Sequence, residues 1–245
     1  MWLRHSEKKI ILPPPRTERC EKYDSRKAIS MKMNLPNKLS VLRLILVPIF
    51  MVVMLLPSFT EFNPLIDMLL TLLGAVLFIA ASITDMLDGK IARKYNLVTD
   101  FGKFLDPLAD KFMVIGAMLC ILFTSRDNLV TFTVFFFALL IVIFRELAVT
   151  SIRLVAASGK EKVVIAANML GKAKTVTQII AICAAILEPI LIRVIGIFLG
   201  EGSIPEWALN YPPLTIVTMV LMTYLTIHSG INYIVGAWKY LDSEK

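Results

Sequence analysis

The chain reads DMLDGKIAR at residues 85–93 and GKFLDPLAD at residues 102–110, which places four aspartates in a sequence that is otherwise mostly apolar. On helices, Asp85 and Asp88 stand at positions i and i+3, and Asp106 and Asp110 at i and i+4, so each pair shares one helical face. Four bare carboxylates beside lipid would be very costly. We therefore expect them to face a wet cavity and to bind divalent cations. Their oxygen-only ligand set favours Mg²⁺ or Mn²⁺ over zinc.

The apolar residues around this segment predict the fold class. They make up 57% of the 245 residues, and the mean hydropathy is +0.72. Several apolar stretches have the length that crosses a bilayer. The sequence therefore predicts an all-α, polytopic integral membrane protein with six transmembrane helices and a juxtamembrane N-terminal helix before the first. The approximate limits are 39–57, 63–85, 104–124, 129–156, 173–198 and 211–237.

The fifth span contains Glu188-Pro189, a pair that is compatible with a helix end. A break there would leave residues 190–199 as a second short segment.

The basic residues indicate the orientation. Of the 26 lysines and arginines, all but Arg126 and Arg193 fall on one side of the predicted spans. Positive charge accumulates in cytoplasmic loops, so both termini and the aspartates of this multi-pass protein are expected on the cytoplasmic side of the cell membrane. The net charge of +7 favours contact with anionic lipid headgroups, and no nucleic-acid-binding module is visible.

Residues 1–32 are polar and basic and contain three consecutive prolines, Pro13 to Pro15. This composition is typical of a disordered arm. The following MNLPNKLS, residues 33–40, reads like a fresh N-terminus that leads into the first span. The arm is therefore either part of the natural protein or an extension from an upstream start, and both alternatives stay open. Residues 33–245 are expected to form the membrane domain.

The complete pattern D-x-x-D-G-x-x-A-R-x8-G-x-x-x-D-x-x-x-D resembles the signature of the CDP-alcohol phosphatidyltransferase family at every fixed position. The chain is similar to the bacterial phosphatidylglycerophosphate synthases of that family through further segments. These are NLPN at 34–37, FGKFLDPLADK at 101–111, Arg145-Glu146 with Arg153, and GKAKT at 171–175.

The resemblance implies that the hydroxyl of a small alcohol attacks the β-phosphorus of CDP-diacylglycerol and that CMP leaves. In the bacterial branch the alcohol is sn-glycerol 3-phosphate, and the product is phosphatidylglycerophosphate, a step of phospholipid biosynthesis. The resemblance also implies a homodimer.

Individual residues receive roles by the same resemblance. Asp85 and Asp106 would bridge two metal ions, while Asp88 would bind the first ion and Asp110 the second. Asp110 would also be the general base that accepts the alcohol proton. The residues that would contact the nucleotide and CDP-diacylglycerol are Asn37, Ser40, Gly89, Arg93, Thr99 and Gly102.

A pocket for glycerol 3-phosphate, a small dianion, needs cations. Four candidates surround the connection between the fourth and fifth spans, namely Arg145, Arg153, Lys172 and Lys174. The alternative is that Arg145 and Glu146 neutralise each other or contact other helices, and that the lysines only anchor the connection at headgroup depth.

The sequence also allows other functions. The aspartates could be solvated loop charges or helix caps, although the full motif at the mouth of two apolar spans argues against this. The same chemistry could use phosphatidylglycerol, as in cardiolipin synthesis, or serine or inositol phosphate. A more remote alternative is an ion or proton transporter. A transporter would distribute its acids through the membrane depth, whereas these four lie at one rim.

Overall fold

The long apolar stretches of the chain fold into helices. The computed structural model describes residues 35–95, 100–158, 169–200, 205, 208 and 211–241, and these residues contain six long α-helices and no β-strand. The helices are α1 Leu35–Phe59, α2 Pro64–Lys94, α3 Asp100–Thr124, α4 Leu129–Ser158, α5 Met169–Leu199 and α6 Pro213–Leu241.

Each helix contains a segment that is long and apolar enough to cross a membrane. These segments are Asn37–Phe59, Pro64–Leu87, Phe104–Thr124, Leu129–Val155, Met169–Leu199 and Pro213–Gly236. The prediction of an all-α membrane protein with six spans is thus confirmed, with limits close to those expected. The predicted juxtamembrane helix and the arm at residues 1–32 lie outside the described ranges.

The helix α5 does not break at Pro189 but continues to Leu199. The preceding residue, Glu188, is buried, and its carboxylate accepts hydrogen bonds from the backbone N–H of Leu214 (2.9 Å) and of Thr215 (2.6 Å). The first N–H groups of a helix have no partner within it, so Glu188 caps α6 from the neighbouring helix. These two hydrogen bonds hold α5 against α6 next to Pro189, where the proline removes a hydrogen bond within α5.

Asparagines cap two other helices. The Asn63 side chain accepts a hydrogen bond from the Leu65 N–H (3.2 Å) before α2, and the Asn128 side chain accepts one from the Thr131 N–H (3.1 Å) before α4. Such caps satisfy N–H groups that would otherwise be unpaired at the helix start. They explain why α2 and α4 begin where they do.

The helices pack through apolar and small side chains. Helix α1 contacts α2 and α3, α4 contacts α3 and α6, and α5 contacts α2, α3 and α6. Many large apolar side chains point outward instead, and Phe144 and Phe198 are 75% and 84% exposed. In a bilayer such side chains contact hydrocarbon. The core includes Phe50, Phe78, Met113, Phe135 and Met219.

Consecutive spans alternate in direction, so one end of the bundle collects the starts of α1, α3 and α5 and the ends of α2, α4 and α6. We call this the site end. The candidate site residues named from the sequence belong to it, apart from Thr99, which lies outside the described ranges.

Candidate active site

The described carboxylates of the motif form one acidic group at the site end. Asp85 lies near the end of α2, and Asp106 and Asp110 lie in the first turns of α3. Electrostatic interactions connect Asp85 with Asp106 and with Asp110. The surroundings of Asp88, Gly89, Arg93 and Thr99 lie outside the described part of the chain.

Helix α1 supplies a cation to this group. Arg43 Nη1 lies 2.7 Å from Asp85 Oδ1, and the Arg43 side chain is 0% exposed. A guanidinium stays protonated in proteins, so α1 places a permanent positive charge beside the carboxylates. Taking two charges out of water is expensive, and the attraction between them offsets this cost only when they stay paired. The pair therefore fixes α1 against α2 at the acidic group.

The same face of α1 also contacts α3. The Ser40 hydroxyl donates a hydrogen bond to Asp106 Oδ1. Asn37, Ser40 and Arg43 follow one another at intervals of three residues, which places them on one side of the helix, and all three are buried. Ser40 and Arg43 thus join α1 to both aspartate-bearing helices.

Asp110 lies deepest along α3 among the motif aspartates. Its Oδ1 atom is buried and has no hydrogen-bond partner among the residues that the structure describes. A buried polar atom without a partner is costly, and an ion, a ligand or an ordered water is one way to satisfy it. Gly102, two turns earlier on α3, is buried as well.

The acidic group fits a hard divalent cation by its chemistry. All its side-chain donors are carboxylate oxygens, the ligand type that Mg²⁺ and Mn²⁺ prefer. Oδ1 of Asp110 is the kind of buried oxygen that such an ion satisfies. The described side chains contain no group of three or more His, Cys, Asp or Glu residues arranged to hold a metal ion, and the Asp88 side chain is not among them.

A second polar cluster lies on α4 and α5. Glu146 Oε1 accepts hydrogen bonds from Arg145 Nη1 (2.9 Å) and from Lys174 Nζ, and Arg145 Nη2 donates to the Ser229 hydroxyl of α6 (2.9 Å). Lys174 is 6% exposed. Two of the four cations expected to bind the acceptor, the buried Lys174 and the partly buried Arg145, therefore contact a single carboxylate. The pairing of Arg145 with Glu146, considered as an alternative from the sequence, is present.

The other two candidate cations have different surroundings. Arg153 Nε donates a hydrogen bond to the Tyr233 hydroxyl (3.1 Å), and its guanidinium carbon lies 5.3 Å from the centre of the Tyr233 ring. Lys172 is exposed near the start of α5. Arg145 and Arg153 of α4 thus meet Ser229 and Tyr233, which are one turn apart on α6 and share a face.

The two clusters are neighbours. Electrostatic interactions reach Asp110 from both Glu146 and Lys174. Lys111, next to Asp110, donates to the Thr150 hydroxyl, which in turn donates to the backbone carbonyl of Glu146 (2.6 Å). Asp110, Glu146 and Lys174 therefore belong to one polar region between α3, α4 and α5.

Sequence reasoning missed several members of this region. Arg43 carried a signal, because it is a charged residue six positions inside the first membrane segment. Gln178 carried a weaker one: it is one turn beyond Lys174 on α5, is 2% exposed, and its amide nitrogen has no hydrogen-bond partner among the described residues. Ser229 and Tyr233 carried none, because single hydroxyl residues are common in membrane helices.

Comparison with known proteins adds an independent observation. The model of the CDP-alcohol phosphatidyltransferase family matches residues 33–240. The CDP-diacylglycerol–glycerol-3-phosphate 3-phosphatidyltransferase of Bacillus subtilis (strain 168) is 40% identical over 213 residues, which cover 86% of this chain and 98% of the relative. The protein of the same name from Rickettsia bellii (strain RML369-C) is 35% identical over 207 residues, which cover 84% of this chain and 97% of the relative.

The pair of Arg43 with Asp85 leads to a prediction about stability. Arg43→Met keeps an apolar stem but leaves Asp85 without its buried counter-charge. The free energy of unfolding should fall by about 3–5 kcal/mol, the usual cost of breaking such a pair from one side. Denaturation of the purified protein in detergent with excess chelator measures this change. Arg126→Met is the matched control, because its partner Asp127 is exposed and 3.9 Å away, so its effect should stay below about 1 kcal/mol. Equal losses in the two variants would contradict the prediction.

Proposed function

The chain belongs to the CDP-alcohol phosphatidyltransferase family, and on this premise we propose that it transfers the phosphatidyl group of CDP-diacylglycerol to sn-glycerol 3-phosphate. The products are phosphatidylglycerophosphate and CMP, so the enzyme serves phospholipid biosynthesis in the membrane. Two relatives that match most of the chain carry the name of this activity. The observation that carries the proposal is that an acidic group and a buried cationic cluster adjoin each other at one end of a membrane bundle.

The acidic group is suited to two divalent ions, Mg²⁺ or Mn²⁺. Asp85, Asp88, Asp106 and Asp110 would hold them, and when bound they would neutralise the diphosphate of CDP-diacylglycerol and the charge that develops on the departing CMP. Ser40 and Arg43 have a supporting task. Each fixes one aspartate through its own contact, so that the carboxylates keep their orientation when no ion or substrate is present.

The nucleotide side of the site is assigned to α1, the end of α2 and the start of α3. Asn37 and Ser40 are buried on α1, and Gly102 is buried near the start of α3. Gly89 and Gly102 leave room for the diphosphate to approach the backbone, and Arg93 provides a planar fork that suits it. Thr99 is the remaining residue that we assign to the nucleotide side.

The acceptor side is assigned to the cationic cluster of α4 and α5. The buried Lys174 and the partly buried Arg145 contact Glu146 there. Arg153 donates a hydrogen bond to Tyr233, and Lys172 is exposed. A phosphate dianion gains charge-assisted hydrogen bonds from such groups. Because this cluster adjoins Asp110, an acceptor whose phosphate binds there can present its hydroxyl to the acidic group.

Asp110 is the proposed general base. In the reaction, the acceptor hydroxyl oxygen forms a bond to the β-phosphorus, and its proton moves to an oxygen of Asp110. The bond from that phosphorus to the oxygen shared with the α-phosphate breaks, and CMP leaves with the electron pair. The buried Oδ1 without a protein partner is compatible with these tasks.

The protein is a multi-pass membrane protein. We further propose that it resides in the inner membrane as a homodimer, with the site end and both termini in the cytoplasm. The clustering of Lys and Arg at the site end supports this orientation. Glycerol 3-phosphate would then bind from the cytoplasm, and CMP would be released into it.

The proposal is tested by an acceptor panel. Purified protein in detergent should release CMP from CDP-diacylglycerol with glycerol 3-phosphate and much more slowly with phosphatidylglycerol, serine or inositol phosphate. The reason is that Arg145 and Lys174 match a small phosphate dianion. Serine and phosphatidylglycerol carry no such dianion, and inositol phosphate carries it on a bulkier ring. A preference for another acceptor in the panel would keep the family chemistry and overturn the substrate assignment. No CMP release with any acceptor would overturn both.

The role of Asp110 leads to a separate prediction. Asp110→Asn keeps the volume and one ligand oxygen but cannot accept a proton, so kcat should fall by about 10² to 10⁴. Binding of CDP-diacylglycerol should survive better than in Asp85→Asn. Steady-state kinetics and substrate binding on the same preparations measure the two effects. Asp127→Asn, at an exposed residue of the opposite end, should behave as the unchanged enzyme. Near-normal turnover of Asp110→Asn would require another base.

A further inference from the structure

Glu146 is a partly buried carboxylate to which the activity as proposed so far gives no task. Its Oε1 atom accepts from both Arg145 and Lys174, and its side chain is 14% exposed. Its backbone carbonyl accepts from Thr150, which is bonded to Lys111 of α3. Glu146 thus connects the two cations with the helix that bears Asp110.

Among the described residues, the two cations have fewer hydrogen-bond partners than N–H donors while they bind Glu146. An ammonium has three N–H donors and a guanidinium has five. Lys174 donates to Glu146, and Arg145 donates to Glu146 and Ser229, while its Nε is buried without a hydrogen-bond partner among the described residues. A phosphate can therefore bind Arg145 and Lys174 without displacing Glu146.

The charges of the cluster do not cancel. Arg145 and Lys174 contribute two positive charges and Glu146 one negative charge, so these three residues by themselves keep an excess of one positive charge, next to Asp110. Without Glu146, the like charges of Arg145 and Lys174 would lose the carboxylate that both of them contact, which is unfavourable away from water. The carboxylate thus keeps both cations in place before an acceptor arrives, and it also weakens the attraction that an arriving anion experiences.

We propose that Glu146 is a positioning residue for the acceptor, which fixes Arg145 and Lys174 beside Asp110 and limits how tightly the site holds a phosphate. This inference rests on the proposed function, because it takes the acceptor to be a phosphate-bearing alcohol. Tight binding of the phosphate alone would not speed the reaction, since only interactions that strengthen in the transition state do so. The Glu146 carboxylate thus lowers the affinity of the site for the phosphate of the acceptor and keeps the acceptor hydroxyl correctly placed.

The test is Glu146→Gln, which keeps the shape of the side chain and removes its charge. Loss of a negative charge next to the phosphate should tighten anion binding. The KM for glycerol 3-phosphate and the Ki of inorganic phosphate as its competitor should both fall, by about 3- to 30-fold. Misplacement of the cations should lower kcat by about 10- to 100-fold. The KM for CDP-diacylglycerol should change little.

Glu146→Asp separates charge from position. It keeps the negative charge but draws it back by one methylene, so the Ki of inorganic phosphate should stay near that of the unchanged enzyme while kcat still falls. This variant also carries the test if Glu146→Gln does not fold. Lys174→Gln is the contrast, because loss of a phosphate-binding cation should raise both the KM for glycerol 3-phosphate and the Ki.

Glu188→Gln is the matched structural control. Glu188 is a more deeply buried glutamate that caps α6, far along α5 from Lys174. Its replacement should therefore lower thermal stability and leave KM and Ki unchanged. A rise of KM and Ki in Glu146→Gln, as in Lys174→Gln, would overturn the proposal. So would a loss of stability with unchanged kinetics. Absence of glycerol-3-phosphate-dependent CMP release in the unchanged enzyme would instead refute the proposed function, which keeps the two failures distinct.

Discussion

The structure depends on the neutralisation of carboxylates within a bundle that is otherwise apolar. An aspartate or glutamate between membrane helices is tolerated only with a cation or several hydrogen-bond donors. Arg43 supplies a cation to Asp85, the Ser40 hydroxyl supplies a donor to Asp106, and two cations share Glu146. The contacts of Arg43 with Asp85, of Ser40 with Asp106 and of Lys174 with Glu146 each join two different helices, whereas Arg145 and Glu146 are neighbours on α4. The same contacts that make the charges tolerable therefore also determine how the helices are arranged at the site end.

This arrangement explains why both halves of the proposed reaction fit at one end of the bundle. Helices α2 and α3 bring the carboxylates together because α2 ends and α3 begins there. Helices α4 and α5 bring the cations together for the same reason, and α3 packs against both of them. Asp110 consequently lies at the junction, within electrostatic reach of Lys174 and Glu146. A base at the junction of an acidic and a cationic region suits a reaction that joins a diphosphate lipid to a small phosphate-bearing alcohol.

Much of the fold and part of the site could be predicted from the sequence. The six spans follow from apolar length alone, and the local spacing of Asp106 and Asp110 places them on one face of α3. The partners could not be predicted, because they depend on contacts between residues far apart in the chain. The family resemblance places Ser40 near the nucleotide but does not indicate its hydrogen bond to Asp106. Adjacency in the sequence indicates a pair of Arg145 with Glu146 but not the hydrogen bond that Lys174 donates to the same carboxylate. Pro189 is another case, since the local signal for a helix end is outweighed by the bonds from Glu188 to α6.

The central claim is that the motif aspartates form a site for two divalent ions, and direct measurement of Mn²⁺ binding tests it. Purified protein in detergent, freed of metal and supplied with CMP, would be titrated with Mn²⁺ while the free ion is followed by electron paramagnetic resonance. The account predicts about two ions per chain, in line with a two-metal mechanism. It predicts no binding above background in the Asp85→Asn, Asp106→Asn double variant, provided that this variant remains folded. Absence of binding by the unchanged protein, or undiminished binding by the folded double variant, would contradict the account.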